Sequence, residues 1–164
     1  MRPYTFGQPS VVSWMTGQLV VMISTFILLL SAISFLIATY FTAVSYRWID
    51  PEAAWIPSFC RMGERTCASI VFTPRARVLG IPTSVLGQLF YLVLMAGILG
   101  NFIFSSPFFY FYLAGSLLTV LLGVYLTYSL LFLTRVPCKL CFTSHGINLV
   151  IFILLLISGW QDLV

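Results

Sequence analysis

Three long stretches of this chain carry no charge: Pro3 to Tyr46, Val78 to Thr134 and Leu140 to Gln161. One helical crossing of a bilayer takes roughly 20 apolar residues. The first stretch holds one such helix, residues 17–45, after a polar lead of Ser10, Ser13 and Thr16. The second is long enough for two helices and is broken at Gly100-Asn101 and again at Ser105-Ser106-Pro107. Gly or Asn just past a helix end, and Ser followed by Pro at a helix start, are usual punctuation. The pattern therefore predicts helices over residues 81–102 and 107–133, and the third stretch a helix over 138–159. The fold expected is an all-α membrane protein: one domain, residues 1–164, forming a bundle of four transmembrane helices.

The one sizeable polar segment is residues 47–80. It holds Arg47, Asp50, Glu52, Arg61, Glu64, Arg65, Arg75 and Arg77, with Trp48, Trp55 and Pro57 suited to a lipid–water boundary. It reads as a structured cap over the bundle, with a short helix near Ala68 to Phe72. The first apolar run is far longer than the ~7–15 residues of a signal-peptide core, so it reads as a retained span.

Composition agrees. The chain is 60% hydrophobic and 7% charged, whereas a soluble domain carries about 25% charged residues. Its net charge of +4 comes from Arg scattered near helix ends. With no basic block, nucleic-acid binding has no support. Four spans place both termini on one side and both cap loop and final turn on the other. That second face carries Arg47, Arg61, Arg65, Arg75, Arg77, Arg135 and Lys139, against Arg2 alone opposite. The charge rule thus puts this face in the cytosol.

The four cysteines all fall on that face, as the pairs Cys60/Cys67 and Cys138/Cys141. Stable disulfides belong to oxidising compartments, which argues for an extracytoplasmic face instead. On the residues alone the two rules conflict, and the side stays open.

The second pair reads Pro137-Cys138-Lys139-Leu140-Cys141. Pro suits the first turn of a helix, which puts Cys138 at a helix N-terminus where unpaired N–H groups stabilise a thiolate. The thiolate is the attacking species in disulfide exchange. Positions i and i+3 are neighbours on a helix, close enough for a disulfide to form and open. Cys60 and Cys67 enclose a polar loop around Gly63, either a permanent clasp or a disulfide open to a partner protein. A closed zinc site needs four ligands, usually in a soluble module, so no metal is expected.

Cys138, Cys141, His145 and Asn148 lie at i, i+3, i+7 and i+10, one stripe of the last helix. A polar stripe within a span faces the bundle interior or a cavity. His145 either bonds a neighbouring helix or meets a polar group of a bound substrate. Asn148 reads as a helix–helix hydrogen bond. A redox pair at the bilayer edge requires an acceptor that lives in lipid. A quinone, ubiquinone or menaquinone, takes the two electrons and two protons that two thiols release.

Cys60…Cys67, Val71-Phe72, Gly80-Ile81-Pro82, Gly87-Gln88-Leu89-Phe90-Tyr91, Gly123-Val124-Tyr125-Leu126 and Cys138-Lys139-Leu140-Cys141 follow one another in order. In these segments the chain resembles the vitamin K epoxide reductase family, close to its prokaryotic disulfide-forming members. Most of that family works extracytoplasmically, so the resemblance implies an extracytoplasmic cysteine face, against the Lys and Arg count. The resemblance implies that Cys141 faces the quinone and Cys138 exchanges with Cys67. It further implies that Cys60 takes electrons from a thioredoxin-like protein, and that Phe72, Thr83, Leu86, Phe90, Tyr91, Leu126, Leu130 and His145 line the quinone pocket. For each apolar position the plain alternative is bundle packing.

Departures accompany the match. Thr73-Pro74 stands where the family commonly has Ser-Ser, and Thr83 and His145 stand where vertebrate members place Asn and Tyr against the quinone. The latter change argues against vitamin K epoxide as the natural substrate. No thioredoxin-like domain follows the bundle, so the partner is expected to be a separate protein. The alternatives are vitamin K quinone or epoxide reduction, a non-catalytic four-span scaffold with structural disulfides, and a metal-binding membrane protein.

Overall fold

In lipid, a charge-free run of Leu, Ile, Val and Phe satisfies its backbone only by bonding within a helix. The computed structural model describes residues 11–50, 77–78, 80–103, 105, 107–134 and 138–161. Cys60, Cys67, Phe72 and the expected helix near Ala68 to Phe72 lie outside the described residues. The described elements are α1 (Val11–Ser45), β1 (Arg77–Val78), β2 (Ile81–Pro82), α2 (Thr83–Leu99), α3 (Phe108–Tyr128) and α4 (Lys139–Gln161). A π-helical turn, Ser129–Thr134, extends α3. Among the described residues, three apolar segments, Gly17–Ser45, Phe108–Leu133 and Lys139–Gly159, are long enough to cross a membrane; α2 is shorter.

Two boundaries depart from the sequence reading. Residues 81 and 82 do not begin α2; they pair back antiparallel, Ile81 with Val78 and Pro82 with Arg77. Between them Gly80 sits at φ 83°, in the left-handed region. Pro82 has no N–H and holds extended backbone at ψ 133°, so the helix starts at Thr83. Apart from this hairpin of two-residue strands the described elements are helical, as expected. At its other end α2 stops at Leu99 instead of residue 102. The Phe102 N–H donates to the Gly97 carbonyl and the Asn101 N–H to that of Ile98, each at 3.1 Å, with Asn101 left-handed at φ 57°. That is a Schellman ending with Asn in the place of Gly. α1 ends the same way, with Arg47 at φ 58° and Trp48 bonding back to Ala43 at 2.9 Å.

α1 packs along α2 and against α4, and α3 packs along α4; α2 and α3 touch only sparsely. Small polar residues lie inside: Ser31, Ser34 and Ser116 are fully buried, while Leu29, Leu36, Leu121 and Val124 face outward. Burial of apolar surface gives no drive toward the interior when the surroundings are lipid. The inward hydroxyls return to their own helix, Ser31 to the Ile27 carbonyl at 2.7 Å and Thr42 to Ala38 at 2.9 Å. One apolar cluster, around Ile27, Leu94, Ile151 and Leu155, closes the bundle interior. A second, around Phe41, Val44, Leu130 and Cys138, lies toward the cysteine end.

Candidate redox site

The start of α4 builds the site. The Phe142 N–H donates to the Cys138 carbonyl at 3.1 Å, which makes Cys138 the residue that caps the helix. The Cys141 N–H donates to the Cys138 sulfur at 3.4 Å. The sulfur thus takes the place an oxygen usually holds at an N-cap, against the positive end of the helix dipole. Cys138 is fully buried among Phe41, Val44 and Leu130. It is disulfide-bonded, and Cys141 is a free thiol. The two cysteines of the C-x-x-C are therefore not bonded to each other, and the partner of Cys138 lies outside the described residues.

Beneath the pair, the gap between α2 and α3 opens into a cavity of about 410 Å³. Cys141, His145 and Asn148 of the expected stripe all line it, whereas Cys138 sits above, in the apolar cluster. The resemblance-derived pocket residues Thr83, Leu86, Phe90, Tyr91, Leu126 and Leu130 line it as well. Phe72 lies outside the described residues. The ends of three helices and the turn after α3 converge at the cysteine end, since Ser45, Thr83, Leu130 and Cys141 share this one cavity.

The walls are mostly apolar with a few polar posts. Near the start of α2, Ser84 and Gln88 bond to Thr42 at 3.0 and 3.2 Å, and the Gln88 amide donates to Thr39 at 2.8 Å. Deeper in, the Tyr91 hydroxyl donates to Asn148 Oδ1 at 2.6 Å, joining α2 to α4. Asn148 so makes the helix–helix bond expected of it. His145 does not: its Nδ1 is buried and has no hydrogen-bond partner. Ser45 Oγ, also on the cavity wall, is buried without a partner.

Sequence reasoning passed over Tyr91 as a polar group and Ser45 altogether. The available signal for Tyr91 was Asn148 itself, because a buried amide requires a partner. Among the described residues no three His, Cys, Asp or Glu side chains gather where a metal ion could bind. An apolar slot with unpartnered polar atoms and a free thiol on its wall suits a flat, lipid-soluble ring carrying polar oxygens.

Comparison with curated proteins returns no match. The vitamin K epoxide reductase family matches residues 25–156, from within α1 to near the end of α4, with the C-x-x-C and the whole cavity wall inside those bounds. The chain belongs to the vitamin K epoxide reductase family, a membrane family of quinone-linked oxidoreductases.

Proposed function

We propose that this protein is a thiol:quinone oxidoreductase that drives disulfide formation in other proteins through a separate thioredoxin-like partner. The observation that carries the reading is the open C-x-x-C, with Cys138 bonded elsewhere and Cys141 free on the cavity wall. A permanent clasp between Cys138 and Cys141 would leave neither thiol free. A disulfide caught in exchange leaves one bonded and one free.

The electron count closes. A dithiol of the partner reduces the Cys60–Cys67 disulfide and leaves as a disulfide. The Cys67 thiolate attacks Cys138 of the Cys138–Cys141 disulfide, forming Cys67–Cys138 and releasing the Cys141 thiolate. Attack of Cys60 on Cys67 restores the loop disulfide and frees Cys138. Oxidation of Cys138 and Cys141 back to a disulfide then gives up two electrons and two protons. A bound quinone, ubiquinone or menaquinone, supplies the acceptor for both.

The chain's own residues do the rest. The Cys138 sulfur, capped against the Cys141 N–H at the helix start, is a favoured leaving group. Phe41, Val44 and Leu130 keep water from Cys138. His145 and Thr83 present polar atoms to the ring. Entry of a lipid-soluble ring from the side fits the sparse contact of α2 with α3, where Leu86, Val93, Leu118 and Leu122 line the cavity. The Thr83 and His145 pair in place of Asn and Tyr favours a plain quinone over vitamin K epoxide.

The test mixes purified protein with a reduced thioredoxin-like substrate and either quinone, following quinone absorbance. Wild type turns over, and Cys138→Ala and Cys141→Ala fall to background. Equal rates in all three proteins would end the proposal. In Cys141→Ala, a trapped Cys67–Cys138 bond, read by mass spectrometry, separates an enzyme from a scaffold whose pairs are independent clasps.

A further inference from the structure

His145 is the single histidine of the chain, and it lies against Gly123 of α3. A Cβ built on Gly123 would stand 2.9 Å from His145 Nδ1 and 3.3 Å from its Cγ. Contacts that short with the root of a ring are not relieved by bending a flexible tip; the imidazole would have to turn. Gly123 is itself buried. The position beside the histidine, Gly146, has nothing within 4 Å of a built Cβ. Glycine at 123 is therefore tied to one neighbour, and that neighbour lines the cavity.

Nδ1 is buried with no partner. A neutral imidazole carries its proton on one nitrogen and a lone pair on the other. On protein backbones, buried N–H groups are left unpaired less often than buried acceptors, and the same preference is applied to the ring. The nitrogen pressed toward Gly123 is thus the bare one, and the proton sits on Nε2.

We propose that Gly123 is a positioning residue: by lacking a side chain it lets the His145 ring lie close against α3, held as the Nε2–H donor toward the cavity. The inference rests on the reading of His145 as a quinone contact for its effect on turnover, and on geometry alone for the tautomer.

The experiment uses untagged full-length protein labelled with ¹⁵N only in histidine, so that one imidazole is observed. The wild-type spectrum shows the Nε2–H tautomer at neutral pH. In Gly123→Ala the ring signals shift or the tautomers mix, and KM for quinone rises by up to about tenfold, the worth of one neutral hydrogen bond. The rate with saturating quinone changes less than KM. Gly146→Ala leaves both readings at wild type. In a His145→Ala background, Gly123→Ala adds no further rise in KM.

An Nδ1–H tautomer in the wild type overturns the proposal, and this outcome stands even if Gly123→Ala fails to fold. So does an equal KM penalty in both backgrounds, which would mark Gly123 as ordinary packing. A His145→Ala protein with wild-type KM would instead sink the quinone contact while leaving the spectrum to judge Gly123.

Discussion

The polar side chains of the last helix behave as three kinds of residue. Cys138 and Cys141 are placed by the helix start, His145 by a neighbour's missing side chain, and Asn148 by a hydrogen bond. The stripe itself was legible, because a polar residue in a span turns inward. Tyr91 was not, since a tyrosine in a span can equally face lipid or interface. Its bond to Asn148 is short and buried, and Ser144 and Ser34 face the same hydroxyl. Tyr91→Phe should remove the bond while keeping the ring. In membrane proteins such bonds contribute about 0.6–2 kcal/mol. A loss of that size in detergent unfolding is the expected outcome, and Asn148→Ala should add little to it in the double variant. Additive losses would show that the two residues act apart.

At the scale of elements, helix ends were more readable than helix faces. Gly100-Asn101 marked the stop of α2, and the residue that takes the left-handed turn is Asn101, with Gly100 still helical at φ −81°. Asn tolerates that region because its short side chain bonds locally, whereas a β-branched residue does not. Asn101→Val should cost about 1–2 kcal/mol of stability, and Asn101→Gly close to nothing. Thermal unfolding of the two variants in one detergent decides it; equal midpoints would mean that the Schellman turn does not hold this end. Arg47 adopts the same backbone at the end of α1 with no sequence signal for it. The inward faces were hidden for a physical reason. Each helix is apolar all round, as lipid allows, so periodicity does not distinguish the bundle side from the bilayer side. Ser31, Ser34 and Ser116 mark it instead, small residues that let helices approach. The Arg77–Pro82 hairpin was missed because Ile81-Pro82 reads as the apolar start of a span until the missing proline N–H is considered.

The whole molecule turns on whether α2 crosses the membrane. Its 17 residues extend about 26 Å at 1.5 Å per residue, against a hydrocarbon core of roughly 30 Å. A shortfall of that size is met by local thinning or by flanking residues at modest cost. Here the chain on either side helps: Pro82 is buried before the helix, and Ile103, almost fully buried, packs into the core after it. Crossing by α2 would make the bundle one of four spans, as the charge-free stretches predict. Residues 46–50 and 81 then share the cysteine face, and residues 100–103, 105 and 107 the opposite one. Span count and sidedness submit to one measurement in a chain whose four cysteines are replaced by Ala. Trp48→Cys and Ser105→Cys, both at exposed positions, are treated in intact cells with a membrane-impermeant thiol reagent. With an extracytoplasmic cysteine face, the position-48 thiol labels at once and the position-105 thiol only after permeabilisation. The reverse order keeps four spans but moves the cysteines to the cytosol, as the Arg distribution would have it. Labelling of both together would show that α2 does not cross, and the four-span reading would fall.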